Sequence, residues 1–220
     1  MGGARGERPA TCPSAWAPML RAGRTSPSLG AGPAELCDCC WVPLRERVDA
    51  DLDACVQLAR VVHELDRYPI QLPDDLRSFI ATPDALAAWV VEEDGEIIGH
   101  VALRPRSSPV VMATASEALG LPADRLGVVA RLLVSPRHRR HGLGQSLLEV
   151  ACRNAHARGL SPILDVVTGR EAAIGLYERC GWVLAGQVTV RWRDRPEVEE
   201  LVYLGPRLPV LSSGLAGGDE

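Results

Sequence analysis

Val134-Ser135-Pro136-Arg137-His138-Arg139-Arg140-His141-Gly142-Leu143-Gly144 stands between an apolar run and a segment whose apolar residues recur at helical spacing. Pro136 cannot donate to a strand ladder, so the run before it, Leu126 to Val134, ends there as a strand. The segment after it, Leu143 to Arg158, places Leu143, Leu147, Leu148, Ala151 and Ala155 on one helical face and closes at Gly159. At such a junction the N–H groups of the first helical turn have no partner within the helix, and the helix dipole adds partial positive charge. Phosphate is the ligand this arrangement attracts. Arg137, Arg139 and Arg140 strengthen the attraction, and Gly142 and Gly144 leave the backbone bare for close approach. The bland alternative is a solvated arginine-rich turn. A dinucleotide fold would need three glycines and a later acid, and a nucleotidase loop would need Gly-Lys-Ser/Thr; neither is present.

The elements on either side fit the same architecture. Ile163 to Val167 reads as a strand, and Glu171 to Cys180 as a helix closed by Gly181. Thr168 with Glu171 forms a capping box, and Gly175 inside that helix suggests close approach of a ligand or backbone. Upstream, Leu44 to Val48 is a short strand. Asp49 to Asp66 is a helix behind an aspartate cap, with a face of Leu52, Cys55, Val56, Ala59, Val61, Val62 and Leu65. Asp74 to Ile80 suggests a second helix. Ala88 to Glu93 and Glu96 to Arg104 form a hairpin around Asp94-Gly95, a dipeptide suited to a tight turn. Val183 to Trp192 and Val198 to Leu204 are the last strands. Strands alternating with helices mark an α/β (α+β) domain.

Residues 1 to about 41, rich in Gly, Pro, Ala, Ser and Arg, read as a disordered leader or extra upstream sequence. Residues 42–206 hold the domain, and 207–220 read as a flexible tail. The formal charge of −4 gives no overall attraction to nucleic acid or anionic lipid, so neither is expected as a partner. The first thirty residues lack the apolar core of a secretory signal. The seven cysteines are odd in number and follow no export signal, which favours reduced thiols and a cytoplasmic location. Cys37, Cys39 and Cys40 lie close together, but no second cluster with ligand spacing follows, so no metal is expected.

The run Val128 to Ser146 resembles the pyrophosphate-binding motif of the GNAT acetyltransferases, and Gly169 to Trp182 resembles their second cofactor motif. The resemblance implies a mixed, mostly antiparallel sheet of about six or seven strands with helices on both faces. It implies acetyl-CoA as cosubstrate, its pantetheine arm in a splay between the strands Leu126 to Val134 and Ile163 to Val167. Backbone at Leu132 and Val134 and the segment Arg139, Arg140, His141, Gly142, Leu143, Gly144 and Gln145 would then hold the cofactor. Arg170 stands where family members commonly have asparagine. Tyr177 matches the tyrosine that protonates the leaving thiolate.

Direct attack by a small-molecule or peptide amine is the implied reaction, with a homodimer possible; a catalytically inactive acyl-CoA sensor and an arginine-loop nucleic-acid partner are the rival functions. The strand Val128 to Leu132 has no carboxylate where many relatives keep a glutamate. Glu92, Glu93, Asp165 and His100 are the candidates for the base the amine requires. Cys180 has no histidine nearby in sequence to activate it. The acceptor pocket is expected between the first helices, the hairpin and the last two strands, with Arg191 and Trp192 as candidate lining.

Overall fold

The computed structural model describes residues 35–37, 40–191 and 196–207, with side chains from Leu44 onward. Among these residues eight strands form one sheet: β1 (Glu35–Cys37), β2 (Cys40–Glu46), β3 (Ala87–Glu93), β4 (Glu96–Arg104), β5 (Leu126–Val134), β6 (Ser161–Val167), β7 (Val183–Val190) and β8 (Val198–Leu204). Their order is β1-β2-β3-β4-β5-β6-β8-β7, antiparallel throughout except between β5 and β6. Seven strands of seven to nine residues and a three-residue edge strand make the mixed sheet expected from the sequence. The edge strand Glu35–Cys37 falls within the stretch read as leader, and β2 begins at Cys40 rather than Leu44 because it pairs back onto β1.

Among the described residues five α-helices cover both faces: α1 (Leu52–Asp66), α2 (Leu76–Ala81), α3 (Pro109–Leu119), α4 (Leu143–Ala157) and α5 (Glu171–Arg179). Side-chain alternation along the strands divides the apolar core. Val90, Ile97 and Leu133 pack under α1 and α2. Leu126, Val128, Ile163 and Val202 pack with α3. Trp89, Val91, Val129, Leu164 and Tyr203 face α4 and α5 on the opposite side. Two faces of one sheet are thus buried, one by α1, α2 and α3, the other by α4 and α5.

Several local expectations are corrected. Val61 and Leu65 are 48% and 64% exposed, because α1 buries the stripe Leu52, Cys55, Leu58, Ala59 and Val62, which leaves those two off its edge. Asp51 stabilises the helix start by accepting from the Val48 N–H at 2.8 Å, while its carboxylate also binds Arg45. The Thr168–Glu171 capping box does not form: Thr168 donates its N–H to the Glu199 carbonyl as part of the sheet, and Arg170 occupies the cap position of α5. At Gly175 the nearest obstacle to a Cβ is the movable end of Arg179 at 3.1 Å, so no close backbone approach explains that glycine. The helix α3 is absent from the sequence reading, although Ser108-Pro109 at its start and Gly120 at its end are boundary signals. The hairpin turn has Asp94 and Gly95 at φ +50° and +81°, as its sequence predicts.

Candidate active site

The site begins with a failure of pairing. β5 and β6 run side by side only from Leu126↔Ser161 to Val128↔Ile163, after which β6 continues along β8 instead. On its other edge β5 stays with β4, but three steps of β5 from Ala130 to Leu133 oppose two steps of β4 from His100 to Ala102. The extra residue is a bulge, and Arg131 sits in it at φ +56°. Bulges increase local twist, which accounts for the divergence of β5 from β6. Ser135 donates its N–H to Ile98 on β4 at 2.8 Å, so strand alternation turns the Val134 N–H, and that of Leu132 two residues earlier, toward the gap β6 has left. The structure therefore brings the predicted Leu132 and Val134 backbone to the splay.

The gap leads to the loop before α4. Pro136–His138 makes one 3-10 turn, Arg140 and Gly142 take φ +68° and +83°, and α4 begins at Leu143. The first bond inside the helix is Ser146 N–H to Gly142 C=O at 3.0 Å, which leaves the amides of Leu143, Gly144 and Gln145 without a helical acceptor. Leu143 is buried in the core and fixes this end, whereas Arg140, His141, Gly142 and Gln145 are exposed. A row of unpaired amides beside an exposed arginine fits an anionic diphosphate. Gly142 is required by its dihedrals. Gly144 has a packing reason too, since a Cβ there would meet Leu176 Cδ2 of α5 at 2.9 Å.

Two predicted cofactor ligands are engaged elsewhere. Arg139 donates to Asp66 Oδ1 at 3.0 Å and to Oδ2 as well, and Arg170 donates to the carbonyls of Asp66 and Arg67 at the end of α1. Both tie the carboxyl end of α1 to the cofactor side of the site, an attachment the sequence pattern did not signal.

Tyr177, on α5, is 8% exposed between Trp182 and Tyr203, with ring centroids 6.2 and 6.1 Å away. Burial raises the pKa of its phenol, so the proton stays on through neutral pH. Asp165 lies on β6 where that strand has left β5, and accepts from Ser107 Oγ at 2.8 Å through Oδ1. Burial pushes its carboxyl pKa up, while the Ser107 hydrogen bond and the charges of Arg131 and Arg104 oppose the rise. Ser107, from the connection between β4 and α3, was not singled out from sequence; only the contact in space reveals it.

The other base candidates have different occupations. His100 is fully buried, its Nδ1 2.9 Å from the Arg131 carbonyl and its Nε2 3.1 Å from Arg47 Nη1. Arginine can only donate, so Nε2 accepts and Nδ1 carries the proton. Desolvation lowers the His100 pKa to about 4, and its one lone pair is taken: it is a strut. Glu92 is paired with Arg45 at 2.7 Å and Glu93 with His138 at 3.0 Å. Burial raises the pKa of the Cys180 thiol, which holds it neutral and unreactive. Arg191 is exposed and bound to Glu197; Trp192 lies outside the described residues, as does Cys39 of the cysteine group. Among the described residues no cluster with metal-ligating geometry occurs, and no helix is long and apolar enough to cross a membrane.

The chain is similar to several known proteins. N-acetyltransferase family 8 member 3 of Mus musculus is 24% identical over 143 residues, 64% of this chain and 58% of that protein. Streptothricin acetyltransferase of Escherichia coli is 35% identical over 74 residues, 33% of this chain and 42% of that protein. The match thus spans 58% of the length of the first of these curated relatives and 42% of the second. Among solved structures, Arabidopsis thaliana NAA60 in complex with acetyl-CoA superposes with a TM-score of 0.56 at 16% identity, covering 74% of this chain and 97% of that one. An N-acetyltransferase from Staphylococcus aureus Mu50 gives 0.55 at 18% identity, over 74% and 96%. The family model described as "Acetyltransferase (GNAT) family" matches residues 52–182, from the first residue of α1 past the last turn of α5, and on that span, more than half of its length, the chain belongs to the GNAT acetyltransferases.

Proposed function

We propose that the chain transfers an acetyl group from acetyl-CoA to an amine by direct attack. The observation that carries this reading is the continuity of two features: the unpaired edge of β5 beyond Val128 runs into the unpaired amides at the start of α4. When bound, the cofactor supplies the thioester that carries the acetyl group. Leu132 and Val134 offer backbone hydrogen bonds along the gap. Arg140, His141 and the amides of Gly142, Leu143, Gly144 and Gln145 hold the diphosphate, while Arg139 and Arg170 brace the end of α1 beside it.

The chain's own groups then divide the proton work. The Val134 N–H is aimed into the gap, where a donor stabilises negative charge on a carbonyl oxygen. Tyr177 keeps a proton on Oη for the departing thiolate. Asp165 takes the proton from the amine at Oδ2, because Oδ1 is occupied by Ser107. A cytoplasmic site of action accords with the free thiols of Cys55, Cys152 and Cys180.

Calorimetric titration with acetyl-CoA, followed by thiol release over an amine panel, tests the reading. Gly142→Val should abolish cofactor binding, since valine cannot adopt φ +83° there. Binding with no thiol release from any amine would reduce the chain to an acyl-CoA sensor.

A further inference from the structure

Arg131 is a half-buried guanidinium held at one end only. The bulge at φ +56° turns it toward α2, where Nε donates to the Phe79 carbonyl at 3.2 Å and Cζ lies 3.5 Å above the Phe79 ring. Phe79 belongs to the last turn of α2, whose carbonyls carry partial negative charge and also accept from Thr82 Oγ1 and Arg47. The side chain is therefore oriented before any ligand arrives. Its two terminal nitrogens have no hydrogen-bond or ion-pair partner among the described residues. Arg45, by contrast, binds Asp51 and Glu92, Arg104 binds Asp84, Arg139 binds Asp66, and Arg191 binds Glu197. Neither terminal nitrogen is among the buried atoms left without a partner, so the fork stays open to an arriving anion, which a planar guanidinium binds bidentately.

Its place in the site identifies that anion. Arg131 on β5 and Asp165 on β6 occupy the same sheet face, since Arg131 reaches α2 and Asp165 reaches Ser107 just ahead of α3. Both stand where their two strands have parted. The Arg131 charge reaches Asp165 from across the parted strands, so a short molecule lying on that face can touch both side chains. One is a carboxylate suited to an ammonium or amine, the other a planar fork suited to a carboxylate.

Building on the transferase reading above, we infer that the acceptor is a short zwitterion of amino-acid type, its amine at Asp165 and its carboxylate held by the terminal nitrogens of Arg131. Arg131 is then the residue that selects acceptors.

The test compares phenylalanine, phenylalaninamide and phenethylamine as acceptors in thiol release, and as ligands in calorimetry on protein saturated with CoA. The acid should be preferred over the amide and the amine by on the order of 30-fold in kcat/KM and in affinity. Arg131→Gln should erase that preference through KM while leaving acetyl-CoA affinity unchanged; Arg131→Lys, which keeps charge over the Phe79 ring, should retain the fold by thermal melt and part of the preference. Equal use or equal binding of all three probes, or an equal loss for all three in Arg131→Gln, overturns the inference. Arg131-dependent binding of the acid with no thiol release would leave the acceptor site standing and discard the transfer reading instead.

Discussion

Arg139 grips the Asp66 carboxylate through both terminal nitrogens, locking the loop before α4 to the end of α1. A guanidinium so occupied is a brace first. Arg139→Gln should weaken acetyl-CoA binding by less than about threefold and destabilise the fold by about 1 kcal/mol, the upper range for a partly exposed ion pair. Calorimetry and thermal melts read the two effects separately. A tenfold loss of affinity with unchanged melting would make Arg139 a phosphate ligand after all.

Tyr177 touches Trp182 and Tyr203 through its ring, and phenylalanine preserves both contacts. Tyr177→Phe should therefore fold normally, bind acetyl-CoA as before, and turn over about 100-fold more slowly, the loss expected for one proton donor. Steady-state thiol release measures it. Turnover within threefold of the parent would remove the tyrosine from the reaction.

Sequence made most of the sheet legible because turn chemistry and period agree there: Asp94-Gly95, Pro136 and Gly159 mark boundaries that the structure places within a residue or two. The resemblance added the splay, and the pairing of β5 with β6 does stop at Val128. Hidden features were those decided across the fold. Nothing in Val129-Ala130-Arg131-Leu132 announces a bulge, since bulge formation depends on the register with β4. Arg139 and Arg170 carry the right charge for phosphate, and only the folded chain shows Asp66 and its neighbour taking them. Thr168 has the right spacing for a cap but is held in the sheet by Glu199. His100 and Asp165 were equal candidates as letters; burial with a donor on its lone pair separates the first from the second.

Asp165 yields a prediction with opposite signs for activity and stability. Burial raises its folded pKa above the unfolded value, so the folded chain binds the proton more tightly. The stabilisation is complete below the unfolded pKa and is lost as pH rises through the raised folded pKa. Once the pH has passed that raised pKa the carboxylate is charged and costs stability; Asp165→Asn should then melt higher than the parent, with the gain shrinking as the pH is lowered. The same variant should lose about 100-fold or more in kcat/KM, and the parent's rise of kcat/KM from acid should have its midpoint above the ordinary carboxylate range. A parent profile with no inflection there would take the base role from Asp165.

His100 yields the converse. Its folded pKa of about 4, depressed mainly by burial, lies below the ordinary 6.5, so the unfolded chain binds the proton first as pH falls. The associated stability is fully present above about pH 6.5 and is lost as pH falls toward 4, on the order of 3 kcal/mol in total. Desolvation also lowers the His156 pKa, so the parent's acid slope alone does not isolate the His100 contribution. His100→Gln offers a donor to the Arg131 carbonyl and an acceptor to Arg47 without titrating. It should melt below the parent at pH 7.5 and show a distinctly shallower decline between pH 6.5 and 4.5. Parallel declines in the two proteins would mean that the imidazole is not held neutral between Arg47 and the bulge.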